Sequence, residues 1–398
     1  MTARRIVVVG NGIAGLTACD SLRAAGFDGQ LTVVGAEHHS PYSRPALSKA
    51  LLHGRDGLTA HELPAPTHGA DELLGVSATG LDAGARRVTL DGGGSLPYDG
   101  LVIASGSRAR RLAGTADQDS TEAGDGGGLT LRTLEDAVRL KELVADRPSV
   151  IVVGGGPLGM EVASGCLHGG CDVTLVTDGE PLVRQLGSYL SGIFTAAARA
   201  NGLRIVNGSK ARLVRSGTTP QVALADGTVL EADLLVSAVG DEPNIEWLAG
   251  SGLLTHGALR VDSRGRVRPD VVAAGDVAFF PTQRGLGRVP LWTSAIDQAK
   301  AAAVGLLLGD EAPPLEFQPY FWTEAFGLSL KAVGFTPVEG APHLREQGTG
   351  AGSSLLRWEH ADGSGTAAAI NYRIPIPKLR RLADTGQQVA RAAEPVTA

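Results

Sequence analysis

The sequence predicts an α/β protein organised around two copies of one unit: a strand, a glycine-rich turn, a helix and a second strand. The first copy spans residues 6–34 and turns through GNGIAG at 10–15. The second spans residues 150–176 and turns through GGGPLG at 154–159, with its glycines in the same register. A complete second copy is not expected by chance, so the chain is predicted to contain two related units.

The first turn has the residues that a dinucleotide phosphate requires. Gly10 lets the chain turn, Gly12 lets backbone N–H groups approach a pyrophosphate, and Gly15 lets the helix pack closely on the strand. The N-terminus of the helix then faces the anion. The second strand ends near Glu37, whose carboxylate can accept hydrogen bonds from an adenosine ribose. These features together predict a dinucleotide site.

The second turn predicts another such site on Gly154, Gly156 and Gly159. One chain would then hold one dinucleotide permanently and exchange the other with solution. This arrangement is typical of a flavoprotein reductase, in which a nicotinamide gives hydride to a flavin.

The segments around these units predict loops, a hairpin and further buried strands. PYSRPALSK at 41–49 is held extended by its prolines and places two cations just beyond the first site. Residues 53–75 are predicted to be loops with a short helix, residues 85–104 a hairpin-like passage, and residues 114–128 a linker or exposed loop. The apolar run at 271–274 ends in Gly-Asp, and Asp276 would lie where open α/β sheets bind ligands.

Length and charge restrict the class of protein. A chain of 398 residues is too long for one core, so about two or three domains are expected. The formal net charge of −6 and the lack of any run of Lys or Arg disfavour a nucleic-acid surface. No apolar run reaches the ~18 residues of a membrane helix, and no signal peptide precedes the first strand. We therefore expect a cytoplasmic protein that binds neither nucleic acid nor membranes.

Cysteine and histidine spacing predicts neither a redox-active thiol pair nor a metal site. Cys19, Cys166 and Cys171 form no C-x-x-C pair, and the first two fall in predicted helices, where they would pack in the core. His61 and His68 have no accompanying ligand cluster, so no metal is expected.

Eight motifs, in their order and spacing, resemble one known family. They are PYSRPALSK, IASGSRARRL, LRTLEDA, VVGGGPLGMEVA, AVGDEPN, AAGDVA, LWTSAIDQA and PYFWTEAFG. The chain resembles the FAD-dependent, NAD(P)H-using ferredoxin reductases that supply cytochrome P450 and Rieske oxygenase systems. The resemblance implies a glutathione-reductase-like fold with two Rossmann-like domains and a C-terminal α+β domain.

The resemblance also implies domain limits and site residues. The FAD-binding domain would comprise 1–108 and 231–312, the NAD(P)-binding domain 109–230, and the C-terminal interface domain 313–398. Non-covalent FAD would contact Gly10, Gly12, Ala14, Gly15, Glu37, Arg44, Lys49, Arg132, Asp276 and Trp292.

Lys49 and Glu161 are the catalytic residues that the resemblance implies. They would form an ion pair between the FAD-binding and NAD(P)-binding domains, beside the reactive end of the flavin. The pair would stabilise charge on the reduced flavin and position the nicotinamide. Trp322 would lie on the face of the last domain that covers the flavin. Electrons would pass from NADH through FAD, one at a time, to a [2Fe–2S] ferredoxin that binds transiently and serves an oxygenase.

The choice of nicotinamide depends on the end of the strand after the second turn. Relatives place an acid where this chain has Thr177, and Asp178 follows. If the strand ends one residue later, Asp178 accepts the ribose hydroxyl; otherwise Thr177 makes a neutral contact. Two acids, Asp178 and Glu180, precede Arg184, so local charge opposes a 2′-phosphate and predicts a preference for NADH.

Two other functions fit the same scaffold. An NADH oxidase or a disulfide reductase would be expected to have a cysteine near Ser43, and there is none. A redox-responsive flavoprotein of the apoptosis-inducing-factor type would be expected to have a long insertion or a targeting segment. Turnover with a ferredoxin distinguishes both from a ferredoxin reductase.

Overall fold

The computed structural model describes residues 4–49, 62–114, 128–216, 219–350, 352–361 and 363–392. His61, the loop predicted before it and most of the linker predicted at 114–128 lie outside these ranges. The chain forms two compact units. The first comprises Met1–Ser43, Thr59–Arg108 and Glu242–Pro319, and the second comprises Arg44–Leu58, Ala109–Asp241 and Tyr320–Ala398.

The helices and strands are labelled here in chain order. The helices are α1 Ile13–Ala24, α2 Leu134–Val144, α3 Pro157–His168, α4 Val183–Leu186, α5 Ser188–Ala200, α6 Trp292–Leu308 and α7 Ile376–Ala392. The strands are β1 Arg5–Val9, β2 Gln30–Gly35, β3 Asp71–Leu74, β4 Ala78–Asp82, β5 Arg87–Leu90, β6 Ser95–Pro97, β7 Gly100–Ile103, β8 Ser107–Ala109, β9 Ser149–Val153, β10 Asp172–Thr177, β11 Arg204–Asn207, β12 Arg212–Ser216, β13 Thr219–Ala223, β14 Val229–Glu231, β15 Leu234–Ser237, β16 Asp241–Pro243, β17 Leu259–Arg260, β18 Arg266–Arg268, β19 Val271–Ala273, β20 Ala278–Thr282, β21 Gly285–Gly287, β22 Tyr320–Ala325, β23 Leu328–Val333, β24 Leu344–Gln347, β25 Ser354–Glu359 and β26 Gly365–Ile370.

The first unit is built on a six-stranded sheet in the order β18-β19-β7-β1-β2-β3. All neighbours pair in parallel except β18 and β19. Val9 pairs with Ile103, and Ile103 pairs with Ala273, so β1, β7 and β19 end level with one another. The residues that follow these three strands therefore meet at one edge of the sheet.

Small side chains bring α1 and α6 together over this sheet. Ala18 on α1 and Ala299, Ala302 and Ala303 on α6 are fully buried in one apolar cluster with the strands. Alanine lets two helix backbones approach closely, so both helices can cover the same part of the sheet. The same unit also contains the smaller sheets β4-β5-β6 and β17-β20-β21.

The second unit has a parallel four-stranded sheet in the order β11-β10-β9-β15 and an antiparallel sheet β12-β13-β14. β15 pairs in parallel with β9, with Leu234 opposite Val150. The predicted domain boundary between residues 230 and 231 thus falls just before β15, a strand of this parallel four-stranded sheet. The sequence of an apolar strand does not specify which strand it pairs with. The domain limits themselves remain a proposal.

The C-terminal segment of the second unit is an antiparallel five-stranded sheet, β22-β23-β26-β25-β24, covered by α7. Backbone and side-chain hydrogen bonds join it to the middle segment. The N–H of Phe326 donates to Ser164 Oγ at 2.8 Å, and the N–H of Val338 donates to the carbonyl of Leu186 at 3.2 Å. The C-terminal sheet and α3 therefore belong to one packed body.

Local differences from the sequence prediction are small. Within the described part of the segment predicted as loops with a short helix, residues 71–74 form β3, an edge strand. Among the described residues, no helix is both long enough and apolar enough to cross a membrane.

Candidate active site

The two glycine turns have the same backbone geometry. Gly10 and Gly154 both have φ +117°, in the region that L side chains rarely adopt. A Cβ atom would lie 2.1 Å from the carbonyl oxygen of Ala104 at Gly10 and 2.2 Å from that of Ala238 at Gly154. Only glycine lets each turn pass the end of the neighbouring strand.

The last glycine of each turn is fixed by helix packing. A Cβ on Gly15 would lie 1.9 Å from the carbonyl oxygen of Gly10, and a Cβ on Gly159 would lie 1.9 Å from that of Gly154. The roles predicted for these glycines therefore have the same steric basis in both units.

The middle glycines leave the first turns of the helices open to an anion. Gly12 and Gly156 are the N-cap residues of α1 and α3; neither has a side-chain cap hydrogen bond, and neither first turn holds an acid. A Cβ on Gly12 would meet no described atom within 4 Å, and one on Gly156 would meet only Gln185 Nε2, at 3.8 Å. Uncapped N–H groups and the positive end of the helix dipole fit a pyrophosphate at both places.

The late Gly-Asp motif lies beside the first turn. Gly275 has φ +82°, and a Cβ on it would approach the Cβ of Ala14 to 3.1 Å. Its N–H donates to Gln298 Oε1 at 2.7 Å, and Asp276 Oδ2 accepts a hydrogen bond from Ser107 at 3.1 Å. The level ends of β1, β7 and β19 thus bring Ala14 and Gly275 together, although they are far apart in sequence.

Two further predicted flavin contacts lie in the first unit. Glu37 follows the end of β2, is half-buried and accepts a hydrogen bond from the hydroxyl of Tyr42 at 2.6 Å. Trp292 is the first residue of α6 and is half-buried. Their contacts with a flavin stay a prediction.

Arg44 and Arg132 are brought together in the second unit. Arg44 begins the 3-10 turn Arg44–Ala46, and its Nη1 donates to the backbone carbonyl of Arg132 at 3.0 Å. The N–H of Arg132 in turn donates to Asp136 Oδ2 at 2.7 Å, next to the capping box that begins α2. Arg44 of the PYSRPALSK motif is therefore hydrogen-bonded to the LRTLEDA motif, which lies far along the chain.

Lys49 and Glu161 form a largely buried ion pair. Lys49 Nζ lies 2.9 Å from Glu161 Oε2, and their side chains are 16% and 4% exposed. The ammonium also lies 5.9 Å from the ring centre of Trp322, within cation–π range. The pair that the family resemblance implied is present within the second unit, while its catalytic role stays a proposal.

Two hydroxyl groups that the sequence prediction did not include complete the surroundings of Glu161. Ser48 Oγ donates to Glu161 Oε2 at 2.5 Å, and Thr323 Oγ1 donates to Glu161 Oε1 at 2.6 Å. Ser48 precedes Lys49 and Thr323 follows Trp322, so proximity to those residues in sequence was the available signal.

The end of β10 corresponds to the second of the two alternatives given for the nicotinamide ribose, and the ribose contact itself stays a prediction. β10 ends at Thr177, whose buried hydroxyl donates to the carbonyl of Gly179 at 3.0 Å. Asp178 lies just beyond the strand, and its Oδ2 is 2.7 Å from Arg184 Nη2 in an exposed ion pair. The strand therefore does not extend to Asp178, and Thr177 is bonded to its own loop.

The cysteines are buried, as predicted for Cys19 and Cys166. Cys19, Cys166 and Cys171 are free and buried. Burial raises the pKa of both the Cys19 and Cys166 thiols to about 12, so neither is a thiolate near neutral pH. Among the described residues, no group of His, Cys, Asp and Glu could hold a metal ion.

Comparison with known proteins identifies the family. The model for pyridine nucleotide-disulphide oxidoreductases matches residues 4–299. The chain belongs to the pyridine nucleotide-disulphide oxidoreductase family. This family membership confirms the predicted α/β class, the oxidoreductase activity and the pairing of FAD with NAD(H).

Similar family members are components of oxygenase systems. The ferredoxin–NAD(+) reductase component of the p-cumate 2,3-dioxygenase system of Pseudomonas putida is 35% identical over 338 residues, which cover 83% of this chain and 81% of that protein. The corresponding component of the biphenyl dioxygenase system of Paraburkholderia xenovorans strain LB400 is 32% identical over 398 residues, covering 98% and 95%.

A solved structure extends the similarity to the fold of the whole chain. The covalent putidaredoxin reductase–putidaredoxin complex matches with a TM-score of 0.82 and 25% identity, over 98% of this chain and 99% of that chain. These similarities confirm the family resemblance predicted from the eight motifs.

Proposed function

We propose that this chain is a ferredoxin–NAD(+) reductase that passes electrons from NADH through FAD to a [2Fe–2S] ferredoxin serving a cytochrome P450 or Rieske oxygenase. The observation that carries the proposal is the pair of helix N-termini without side-chain caps, at Gly12 and Gly156, each in a glycine turn with the same glycine spacing. Two dinucleotides in one chain fit a hydride donor and a flavin acceptor. The two similar proteins are ferredoxin–NAD(+) reductase components of dioxygenase systems, and this similarity supports a ferredoxin as the acceptor.

The cofactors divide between the two turns. FAD would bind at the first turn, with Gly10, Gly12, Ala14 and Gly15 at its phosphates. Glu37 and Asp276 follow β2 and β19 of the same sheet. NADH would bind at the second, on Gly154, Gly156 and Gly159. These residues would hold the two cofactors, and bound FAD would supply the link between the two-electron hydride chemistry of NADH and the one-electron chemistry of a [2Fe–2S] acceptor, with the proton of the hydride going to solvent.

The protein side chains would act by holding charge rather than by transferring protons. The Lys49 ammonium supplies a positive charge, and Glu161 fixes its position through a 2.9 Å ion pair. Because the pair is largely removed from water, its field is stronger than it would be at the surface. Lys49 and Glu161 are therefore the residues proposed to act in hydride transfer.

The partner and the location follow from the same proposal. The ferredoxin would bind transiently, because a reductase has to release it to the oxygenase. The proposed location is the cytoplasm, since the reaction draws on a pool of NADH.

A direct assay tests the proposal. FAD-loaded protein is mixed anaerobically with NADH and an excess of a bacterial [2Fe–2S] ferredoxin, and the loss of the visible absorbance of the ferredoxin is followed. Multiple turnovers are expected. If NADH is instead consumed only with oxygen or with a low-molecular-weight disulfide, the chain is an oxidase or a disulfide reductase.

A further inference from the structure

The carboxylate of Glu161 is held by donors at both of its oxygens. Oε2 accepts from Ser48 Oγ at 2.5 Å and from Lys49 Nζ at 2.9 Å, and Oε1 accepts from Thr323 Oγ1 at 2.6 Å. Glu161 is 3% exposed, and Ser48 and Thr323 are also buried. A buried carboxylate needs such partners, because each unsatisfied acceptor would bear a desolvation cost.

The Thr323 hydrogen bond is part of a larger contact between α3 and the C-terminal sheet. Glu161 and Ser164 lie three residues apart on α3 and so share one face of the helix. Thr323 on β22 donates to Glu161, and the N–H of Phe326, in the turn after β22, donates to Ser164 Oγ. The position of Thr323 relative to Glu161 is thus fixed by two hydrogen bonds rather than one.

A carboxylate bonded at one oxygen only can rotate about its last side-chain bond. Ser48 and Lys49 both contact Oε2, so these two residues alone do not fix the plane of the carboxylate. The Thr323 hydroxyl at Oε1 does, and its hydrogen bond is of the strong, charge-assisted kind. Removing it would leave Oε1 without that donor and the plane of the carboxylate held at Oε2 alone, so the acceptor direction that Oε2 presents to the Lys49 ammonium would be less well fixed.

We propose that Thr323 is a positioning residue for hydride transfer: it fixes the Glu161 carboxylate, and through it the Lys49 ammonium, from the C-terminal sheet. Ser48 donates to the other oxygen, Oε2, and does not by itself fix the plane of the carboxylate. The proposal rests on the proposed function only in that Lys49 and Glu161 act when FAD is reduced by NADH. Neither Thr323 nor Ser48 is required to touch a cofactor.

Three threonine variants test this proposal. Thr323→Val removes the hydroxyl and keeps the shape, whereas Thr323→Ser keeps the hydroxyl. Thr195→Val is the matched control, because Thr195 is buried on α5 and its hydroxyl has no partner among the described residues. In stopped-flow reduction by NADH, we expect Thr323→Val to lower the limiting rate about tenfold with little change in the NADH dissociation constant. Thr323→Ser and Thr195→Val should retain the wild-type rate.

A double-mutant cycle with Glu161→Ala provides a readout that does not depend on catalysis. The denaturant midpoint of unfolding is measured for wild type, Thr323→Val, Glu161→Ala and the double variant. If the Thr323 hydroxyl acts through the Glu161 carboxylate, the effects of the two substitutions on the midpoint of unfolding will be clearly non-additive. In addition, Thr323→Val will cause no further loss of reduction rate in the Glu161→Ala background.

Three results would overturn the proposal: a wild-type reduction rate in Thr323→Val, a Thr323→Ser variant as slow as Thr323→Val, or fully additive effects in the cycle. Neither experiment contains a ferredoxin. A chain that fails to reduce ferredoxin but shows the coupling would refute the proposed function and leave this inference intact.

Discussion

Arg184 Nη2 lies 2.7 Å from Asp178 Oδ2, immediately beyond the end of β10. The acid closest to the predicted ribose position is therefore partly neutralised by a cation on α4, which follows the loop. Both side chains are more than half exposed, at 71% and 53%, so the pair is weak and water competes with it. This pair is the feature of the second site most relevant to the choice between NADH and NADPH.

We predict that the wild-type chain prefers NADH and that Arg184→Ala increases this preference. Without Arg184, the charge of the Asp178 carboxylate is no longer partly neutralised, so it repels a 2′-phosphate more strongly. The ratio of kcat/KM for NADH to that for NADPH should rise on the order of fivefold. Arg199→Ala, which removes an exposed arginine at the end of α5, is the control and should leave the ratio unchanged. A lower ratio in Arg184→Ala would mean that Arg184 does not oppose Asp178.

Lys49→Ala should slow flavin reduction more than it weakens FAD binding. Lys49 would be one of many FAD contacts, but it is the cation held by Glu161. Loss of a preorganised charge typically costs ~3 kcal/mol in the transition state, so the rate should fall about 100-fold. Stopped-flow reduction and a separate FAD titration measure the two effects, and Lys378→Ala, at an exposed lysine on α7, is the control. An unchanged rate would make Lys49 a structural residue.

Gly12→Ala and Gly156→Ala should separate the two dinucleotide sites. The backbone tolerates both, since Gly12 has φ −88° and Gly156 has φ −77°. The added methyl group occupies space next to the open helix N-terminus, where a pyrophosphate would approach. We expect Gly12→Ala to purify largely without flavin, and Gly156→Ala to keep its flavin but to show a higher KM for NADH.

Gly192→Ala on α5 controls for a methyl group added in open space. It should retain both the flavin and the affinity for NADH. Equal effects of Gly12→Ala and Gly156→Ala on flavin content would contradict the assignment of FAD to the first turn.

The flavin should be released by acid precipitation. In the described chain all three cysteines are buried and unreactive, and no histidine is predicted at the first site for a covalent linkage. The supernatant should carry the yellow colour after the protein is pelleted, as read from its absorbance spectrum. Flavin that stays in the pellet would show a covalent bond.

Local patterns were sufficient to predict both glycine turns. The φ of Gly10 and Gly154 and the overlap at Gly15 and Gly159 are consequences of a strand, a tight turn and a helix in sequence, so they depend on neighbours a few residues away. The position of Asp276 was also predictable, because a buried strand that ends in Gly-Asp has few places in an α/β sheet.

Features that depend on tertiary packing were not predictable in the same way. β15 has the same apolar character as β7, and nothing in its residues specifies pairing with β9. The contact of Thr323 with Glu161 depends on how β22 docks against α3, and the Asp178–Arg184 pair depends on how a short loop folds. Each of these requires knowledge of a partner that lies elsewhere in the chain or in an irregular segment.

The hydrogen bonds from Thr323 and Phe326 to one face of α3 limit how this chain can be recombined. In a chimera that takes residues 320–398 from another family member, the residues facing Glu161 and Ser164 would come from that other protein in place of Thr323 and Phe326. Such an exchange would keep a working site only if the incoming segment matched those two acceptors. The middle and C-terminal segments are therefore expected to be inherited, and exchanged, as a single piece.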